Sequence, residues 1–389
     1  MTGWLSLVRP GDLVVVAQGV GEPTPLLTDL LDAAPADVEV FVGLSHSDAL
    51  TGPTSMPLVS FGALGPLGRP PHRGTVEIVP AHFDDLARVL PHRGRDLVLL
   101  MQVAEADASG RHSLGVAVDH TYELVGRART VVAEVNAQLP VTSAPRLPAS
   151  TFDACVPTSR PLPVVAVPEV GEPQRRIAEH VAGLVPDGAT VQLGLGALST
   201  AIGCALSGHR DLAVRSTLAA DWLLDLVSSG AVRPERATIC EAAGSPELYK
   251  LVGASDVAIR PVREVAAVDS ERFVAVNSAL QVDLSGQVNA EELPAGYVGA
   301  IGGQAEYLRA AQRSPGGCAV VALPATAGRH SRIVPHLTTV TTPRSGVDVV
   351  VTEHGVADLR GRGLRERADA LIAVAAPEHR DALREGTDR

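Results

Sequence analysis

Aromatic side chains make up only 3% of the 389 residues, so any sizeable core must be built from Val, Leu, Ile and Ala. Lysine is nearly missing: Lys250 is the only one, in a locally polar stretch, and Schiff-base chemistry is set aside on that ground. The cysteines are four, at 155, 204, 240 and 318, with no Cys-x-x-Cys pair. Their spacing excludes a sequence-local zinc ribbon and a disulfide framework; they are expected to be small buried hydrophobes in a reducing compartment. Basic residues are outnumbered, 33 Lys plus Arg against 44 Asp plus Glu, for a formal charge of −11. A chain this acidic carries no electrostatic footprint for DNA or RNA. No segment approaches the run of about 18 to 20 apolar residues of a membrane span. The first twenty residues lack a basic region followed by an apolar core and cleavage site. A soluble, cytoplasmic chain with no nucleic-acid or membrane partner is expected.

What is present is a hydrophobic fraction of 46% against 20% charged residues, which excludes general disorder, in a length of roughly two or three domains. β-rich runs alternate with helical patterns: strands are expected at Leu13–Ala17, Val38–Val42, Thr75–Ile78, Leu97–Met101 and Thr130–Glu134, and helices at Thr24–Ala33 and Phe83–Val89. Apolar strands separated by helices predict parallel sheets covered on both faces. Between 145 and 173 stand Pro145, Pro148, Pro157, Pro161, Pro163, Pro168 and Pro173, a density that resists helix interiors and central strands. That stretch reads as the crossing between two α/β domains, 1–160 and 161–389. The pattern then restarts with helix Glu172–Leu184, strand Thr190–Leu193, a glycine loop, and a helix from Ser199, as N-cap, to Leu206, with Gly208 as its stop. Strand Leu212–Val214 and helix Asp221–Val227 follow. Later strands are Phe273–Val276, Leu280–Leu284, Ala319–Leu323 and Val347–Val351, and helix Leu364–Val374 closes the pattern.

Gly194-Leu195-Gly196-Ala197-Leu198-Ser199 sits between a strand and a helix, where glycines let backbone approach a ligand and the helix start favours an anion. A dinucleotide fingerprint needs a third glycine where Ser199 stands and an acid closing the next strand, which instead reads Val214-Arg215-Ser216-Thr217. NAD is therefore disfavoured. The stretch Ile177–Gly196, with Pro186-Asp187-Gly188-Ala189-Thr190-Val191-Gln192-Leu193, resembles the acetyl-CoA hydrolase/transferase family, class I CoA-transferases that include acetate and 4-hydroxybutyrate CoA-transferases. The resemblance continues through Asn277–Asn289, Gly302-Gly303-Gln304, Ala322–Ala327, Ser331–Pro335 and Val351–Gly361. In the N-terminal half it runs through Gly19–Leu27, Asp107–Gly115 and Ala133–Asn136.

The resemblance implies two open α/β CoA-transferase-like domains with the active site in the cleft between them. It implies coenzyme A as acyl-CoA substrate, no metal, a carboxylic acid acceptor and a homo-oligomer. In such enzymes a glutamate attacks the thioester, giving an anhydride and then a glutamyl-CoA thioester, with an oxyanion hole at each tetrahedral step. Its motif, of the type His-Thr-Glu-Met, falls on Arg215-Ser216-Thr217-Leu218, which puts Thr217 where the glutamate is expected. A threonine hydroxyl forms no acyl anhydride. By the same resemblance Gly194, Leu195, Gly196, Ala197 and Leu198 line the CoA pocket, and Gly302 and Gln304 belong to the substrate site. Arg329 or His330 stands where the family often has a phosphate-facing lysine. Asn277 and Gly303 match oxyanion and carboxylate-positioning groups, and Glu353 matches a second active-site glutamate.

Blander roles stay open: a strand kink for Asn277, a turn for Gly302-Gly303, a helix-start acid for Glu353, core packing for Trp222. Three functional readings follow. One is an acyl-CoA enzyme without the glutamyl nucleophile, Glu353 acting as general base toward water or an acceptor. Another is an ordinary transferase with a relocated carboxylate, Glu353 or Glu241. The last is a catalytically silent acyl-CoA binder.

Overall fold

The computed structural model describes residues 3–166 and 169–385, so Pro168 lies outside the described residues. The chain forms two compact α/β units. The first comprises the chain up to Val165 together with Thr238–Val265 and Ala295–Gly302; the second takes Ala166–Ala237, Ala266–Pro294 and the chain from Gly303 onward.

In the first unit, seven strands form one sheet: β1 (Asp12–Val16), β2 (Glu39–Phe41), β3 (Leu58–Ser60), β4 (Glu77–Ile78), β5 (Asp96–Val103), β6 (Thr130–Asn136) and β7 (Ala154–Thr158). Their order is β4-β3-β2-β1-β5-β6-β7, and every neighbouring pair is parallel. All five residues of β1 are buried, as a parallel strand covered on both faces requires. Helix α1 (Thr24–Ala33) contributes Leu26, Leu27 and Leu30 to a core with Val14, Val16, Val40, Leu58 and Val98. The strand that the proline-rich stretch contributes to this sheet is an edge strand rather than a central one, as its proline density requires. β7 lies inside the stretch, with Pro157 opposite Val135, because β7 is the sheet edge and a missing N–H is tolerated where one side has no ladder partner.

The second unit carries β8 (Thr190–Gln192), β9 (Leu212–Ala219), β10 (Val232–Ala242), β11 (Phe273–Ser278), β12 (Cys318–Ala322), β13 (Val349–Thr352) and β14 (Gly355–Asp358), in the order β10-β9-β8-β11-β12-β13-β14. The pairs β8–β9, β8–β11, β11–β12 and β12–β13 are parallel, and β13–β14 is an antiparallel hairpin. β10 starts here and ends in residues counted with the first unit, where Thr238 and Ile239 pair with Ala258 and Ile259. Around the sheet lie α2 (Glu172–Ala182), α3 (Ala197–Leu206), α4 (Asp221–Ser228), α5 (Gln304–Arg313) and α6 (Leu364–Val374). From β8 the chain moves outward through β9 and β10, then returns to β8's other side as β11. Open parallel sheets bind ligands outside the carboxyl ends of their strands at such a reversal.

Three local expectations change. Helix α3 begins at Ala197 with Gly196 as N-cap, so Ser199 lies inside the first turn and its hydroxyl bonds the Leu195 carbonyl at 3.4 Å; its other end is as expected, at Leu206 with Ser207 as C-cap and Gly208 next. Gly196 has φ +98°, which an L side chain adopts only under strain. β9 runs on to Ala219, so Thr217 is a strand residue rather than a loop residue. All four cysteines are free thiols, but only Cys240 and Cys318 are buried; Cys155 and Cys204 are exposed. Burial pushes the Cys318 thiol up to about 11, as for an inert core thiol. Among the described residues no helix is long and apolar enough to cross a membrane.

Candidate active site

At the carboxyl edge of the second unit's sheet, β8 passes through Leu193 into Gly194-Leu195-Gly196, and Ala197 and Leu198 open α3. The five residues of this loop are half-buried. Its backbone is anchored from behind: the buried Trp222 of α4 donates its indole N–H to the Gly194 carbonyl at 3.0 Å. Trp222 also packs so closely on Gly203 of α3 that any side chain at 203 would overlap it. Trp222 is thus a core residue that also fixes the glycine loop.

Next to the loop, across the strand reversal, Asn277 near the end of β11 donates its Nδ2 to Oε1 of Gln192 at the end of β8, at 2.9 Å. An amide nitrogen has two N–H groups, so one remains for another acceptor. Gln192 is a buried polar residue closing the fully buried strand β8. In β9, the buried Ser216 donates to the carbonyl of Leu193 at 2.5 Å, tying that strand end to the loop's root. Thr217 is half-buried, and among the described residues its hydroxyl has no hydrogen-bond partner, so no base there is engaged to activate it.

Glu353 does not begin a helix. It and His354 form the two-residue turn between β13 and β14, and Thr352 is paired with Gly355. Its side chain is only 13% exposed; Oε2 accepts the Ala325 N–H at 2.7 Å, and Oε1 lies 3.9 Å from His354 Nε2. Arg332 bonds the same segment through its own N–H to the Ala325 carbonyl at 2.8 Å, and its guanidinium feels the Glu353 charge. Burial lowers the Arg332 pKa, and the Glu353 charge works against that.

Gly303 caps α5, and Gln304 is buried with its amide committed on both sides: Nε2 donates to the Ser278 carbonyl and Oε1 accepts from Thr342, each at 2.9 Å. Gln304 therefore holds the end of β11 in place. Gly302 belongs to the first unit, where its carbonyl accepts the Phe83 N–H at 3.0 Å. Arg329 and His330 are exposed at the tip of a small hairpin, Thr326–Ala327 with His330–Ser331. The fold thus brings the glycine loop, Thr217, Asn277 and Glu353 to one edge of one sheet. Gln192 and Arg332 were not singled out from sequence, although both lie inside motifs that carried the resemblance.

The first unit has its own buried polar cluster beyond β1. Gln18 N–H donates to Asp119 at 2.5 Å and Val20 N–H to Glu241 at 2.9 Å, with Gly19 between them packed directly on the Glu241 carboxylate. Burial, reinforced by the nearby Asp119 charge, pushes Glu241 up to about 8 against the bonds from Val20 and Gln18.

Each unit is built on an open, mostly parallel sheet, and the second carries a glycine loop and an amide pair at its strand reversal and a carboxylate further along the same edge. Residues 244–387 match the family model of the acetyl-CoA hydrolase/transferase C-terminal domain. The chain is 34% identical to a 4-hydroxybutyrate coenzyme A transferase of Clostridium kluyveri, covering 97% of this chain and 94% of that protein. Among solved structures it is similar to RipA from Yersinia pestis (TM-score 0.87, 27% identity, 99% of this chain and 95% of that one). It is also similar to a 4-hydroxybutyrate CoA-transferase from Porphyromonas gingivalis (TM-score 0.80, 30% identity, 99% and 95%). The chain belongs to the acetyl-CoA hydrolase/transferase family.

Proposed function

We propose that this protein consumes short acyl-CoA thioesters by CoA or acyl transfer, without a glutamyl-CoA intermediate, using Glu353 as general base. The observation that carries this reading is the contrast between two side chains at one sheet edge: an unengaged hydroxyl at Thr217 and an oriented carboxylate at Glu353. Gly194–Leu198 hold the CoA moiety, with Arg329 and His330 reaching its phosphates. The free amide hydrogen of Asn277 and the backbone N–H of Gly303 polarise the thioester carbonyl. Where the nucleophile carries a proton, as water does, Glu353 takes it as the nucleophile's oxygen bonds to the thioester carbon. The tetrahedral oxyanion collapses, the C–S bond breaks, and the CoA thiolate recovers the proton from Glu353. With water as nucleophile the products are the free acid and CoA, and the reaction is acyl-CoA hydrolysis; a carboxylate acceptor instead displaces the CoA thiolate to give a mixed anhydride, and the thiolate then attacks the acceptor's carbonyl carbon, breaking that anhydride C–O bond and releasing the original acyl group as its carboxylate beside the new CoA ester.

Incubation with propionyl-CoA and a mixture of carboxylic acids, followed by chromatography of every CoA species, tests the reading. A new CoA ester marks transfer and free CoA alone marks hydrolysis; Glu353→Gln is expected to reduce hydrolysis at least 100-fold. Unchanged thioester with bound CoA would identify a silent binder instead.

A further inference from the structure

The second unit has a second concavity, of about 440 Å³, at the opposite end of its sheet from Glu353. β14 runs antiparallel to β13, so the chain leaving it bonds back beside the start of β13, Leu359 N–H to the Asp348 carbonyl at 2.7 Å, before entering α6. The first turn of α6 forms one wall through Leu364, Arg365 and Ala368; the turn Asp283–Gln287 and Pro335-His336-Leu337 form the others, with Arg344 beside them. Arg367 ties these walls together by donating to the carbonyls of Ser285 (3.2 Å) and Arg344 (2.9 Å).

Two features of the lining point to one kind of ligand. Its apolar part includes Leu284, Leu337 and Leu364, and Leu364 is 58% exposed, one of few large hydrophobic side chains left open to water. Its charge is positive in a chain of net charge −11. The one acid, Asp283, is saturated by four donors from Ser285 and Gln287, at 2.6–3.0 Å, and those bonds hold its carboxyl below the usual range against the cost of burial. Among the described residues the Arg344 side chain bonds only the neutral Gln287 amide, at 2.9 Å, and the side chains of Arg365 and His336 have no hydrogen-bond or ion-pair partner. The volume falls within the range of roughly 300–1,000 Å³ typical of small-molecule sites.

We infer that this pocket binds an alkyl carboxylate, its chain against Leu284, Leu337 and Leu364 and its anionic head at Arg365 and Arg344, separately from the edge that carries Glu353. Calorimetric titration of the full chain with octanoate is the test, with 1-octanol and acetate as probes lacking the charge or the chain. One octanoate per chain is expected, with the other two at least tenfold weaker. Arg365→Glu and Leu364→Asp, both exposed positions, should each weaken octanoate at least tenfold with unchanged circular dichroism, whereas Glu353→Gln should not. Absence of saturable octanoate binding, or binding that survives either pocket substitution, overturns the inference.

Discussion

Glu353 and Thr217 lie on the same carboxyl edge of the second unit's sheet, with the ends of β8, β11 and β12 between them, yet only the first has an oriented side-chain oxygen. If Thr217 marks the lost nucleophile, Thr217→Glu supplies a carboxylate to the thioester. The variant is expected to gain CoA transfer to a carboxylic acid and a CoA-labelled protein visible by intact mass; a variant no different from the parent removes Thr217 from the site. Glu353→Asp retains the base but retracts it from the Ala325 N–H, so hydrolysis should fall about tenfold, less than in Glu353→Gln. Glu241 yields a prediction about stability. Its folded pKa, about 8, lies above the ordinary value of 4.5. The folded chain therefore holds a proton that the unfolded chain releases, and stability contributed by this group declines as pH rises from about 4.5 to about 8. Glu241→Gln should flatten that decline, with denaturant melts at pH 6 and pH 8.5 as the measure. An equal slope in both proteins would mean that Glu241 is ionised in the fold.

At the scale of elements, the glycine loop is held by α3 ahead and α4 behind. Trp222→Phe removes the N–H bonded to Gly194 and leaves a buried carbonyl short of a partner, at a cost of about 1–3 kcal/mol. The expected result is a lowered melting temperature together with weaker CoA binding. Gly203→Ala forces a methyl group onto Trp222 and should cost about 1–3 kcal/mol as well. Strands with apolar runs were legible in the sequence because burial on both faces leaves them no polar alternation: β1, β5, β6 and β12 fall where Leu13–Ala17, Leu97–Met101, Thr130–Glu134 and Ala319–Leu323 were read. Helices α1 and α6 match Thr24–Ala33 and Leu364–Val374 to the residue. β10 was not read at all. Its first half carries Arg233, Pro234, Glu235 and Arg236, which look like a loop, and only the strand order reveals why they are tolerated: this half starts at the border of the second unit's sheet. β7 was hidden for the related reason that Pro157 sits on an edge.

For the whole molecule, two later segments, Thr238–Val265 and Ala295–Gly302, cluster with the N-terminal unit, an arrangement that depends on contacts between residues far apart in sequence. The pairing of Val20 with Glu241 is such a contact, and no local pattern announces it. The glycine loop, Asn277 and Glu353 were legible because each lies in a short motif at a strand end. Gln192 and Arg332 acquire meaning only from the partners the fold gives them. The central claim is that acyl-CoA is processed without the enzyme becoming acylated or CoA-bound through a side-chain carboxylate. Intact-mass spectrometry of the protein during turnover of propionyl-CoA, quenched in acid, tests it directly. The account predicts free CoA or a new CoA ester in solution beside protein of unchanged mass. Protein heavier by one CoA, lost on substituting a single glutamate, would contradict it.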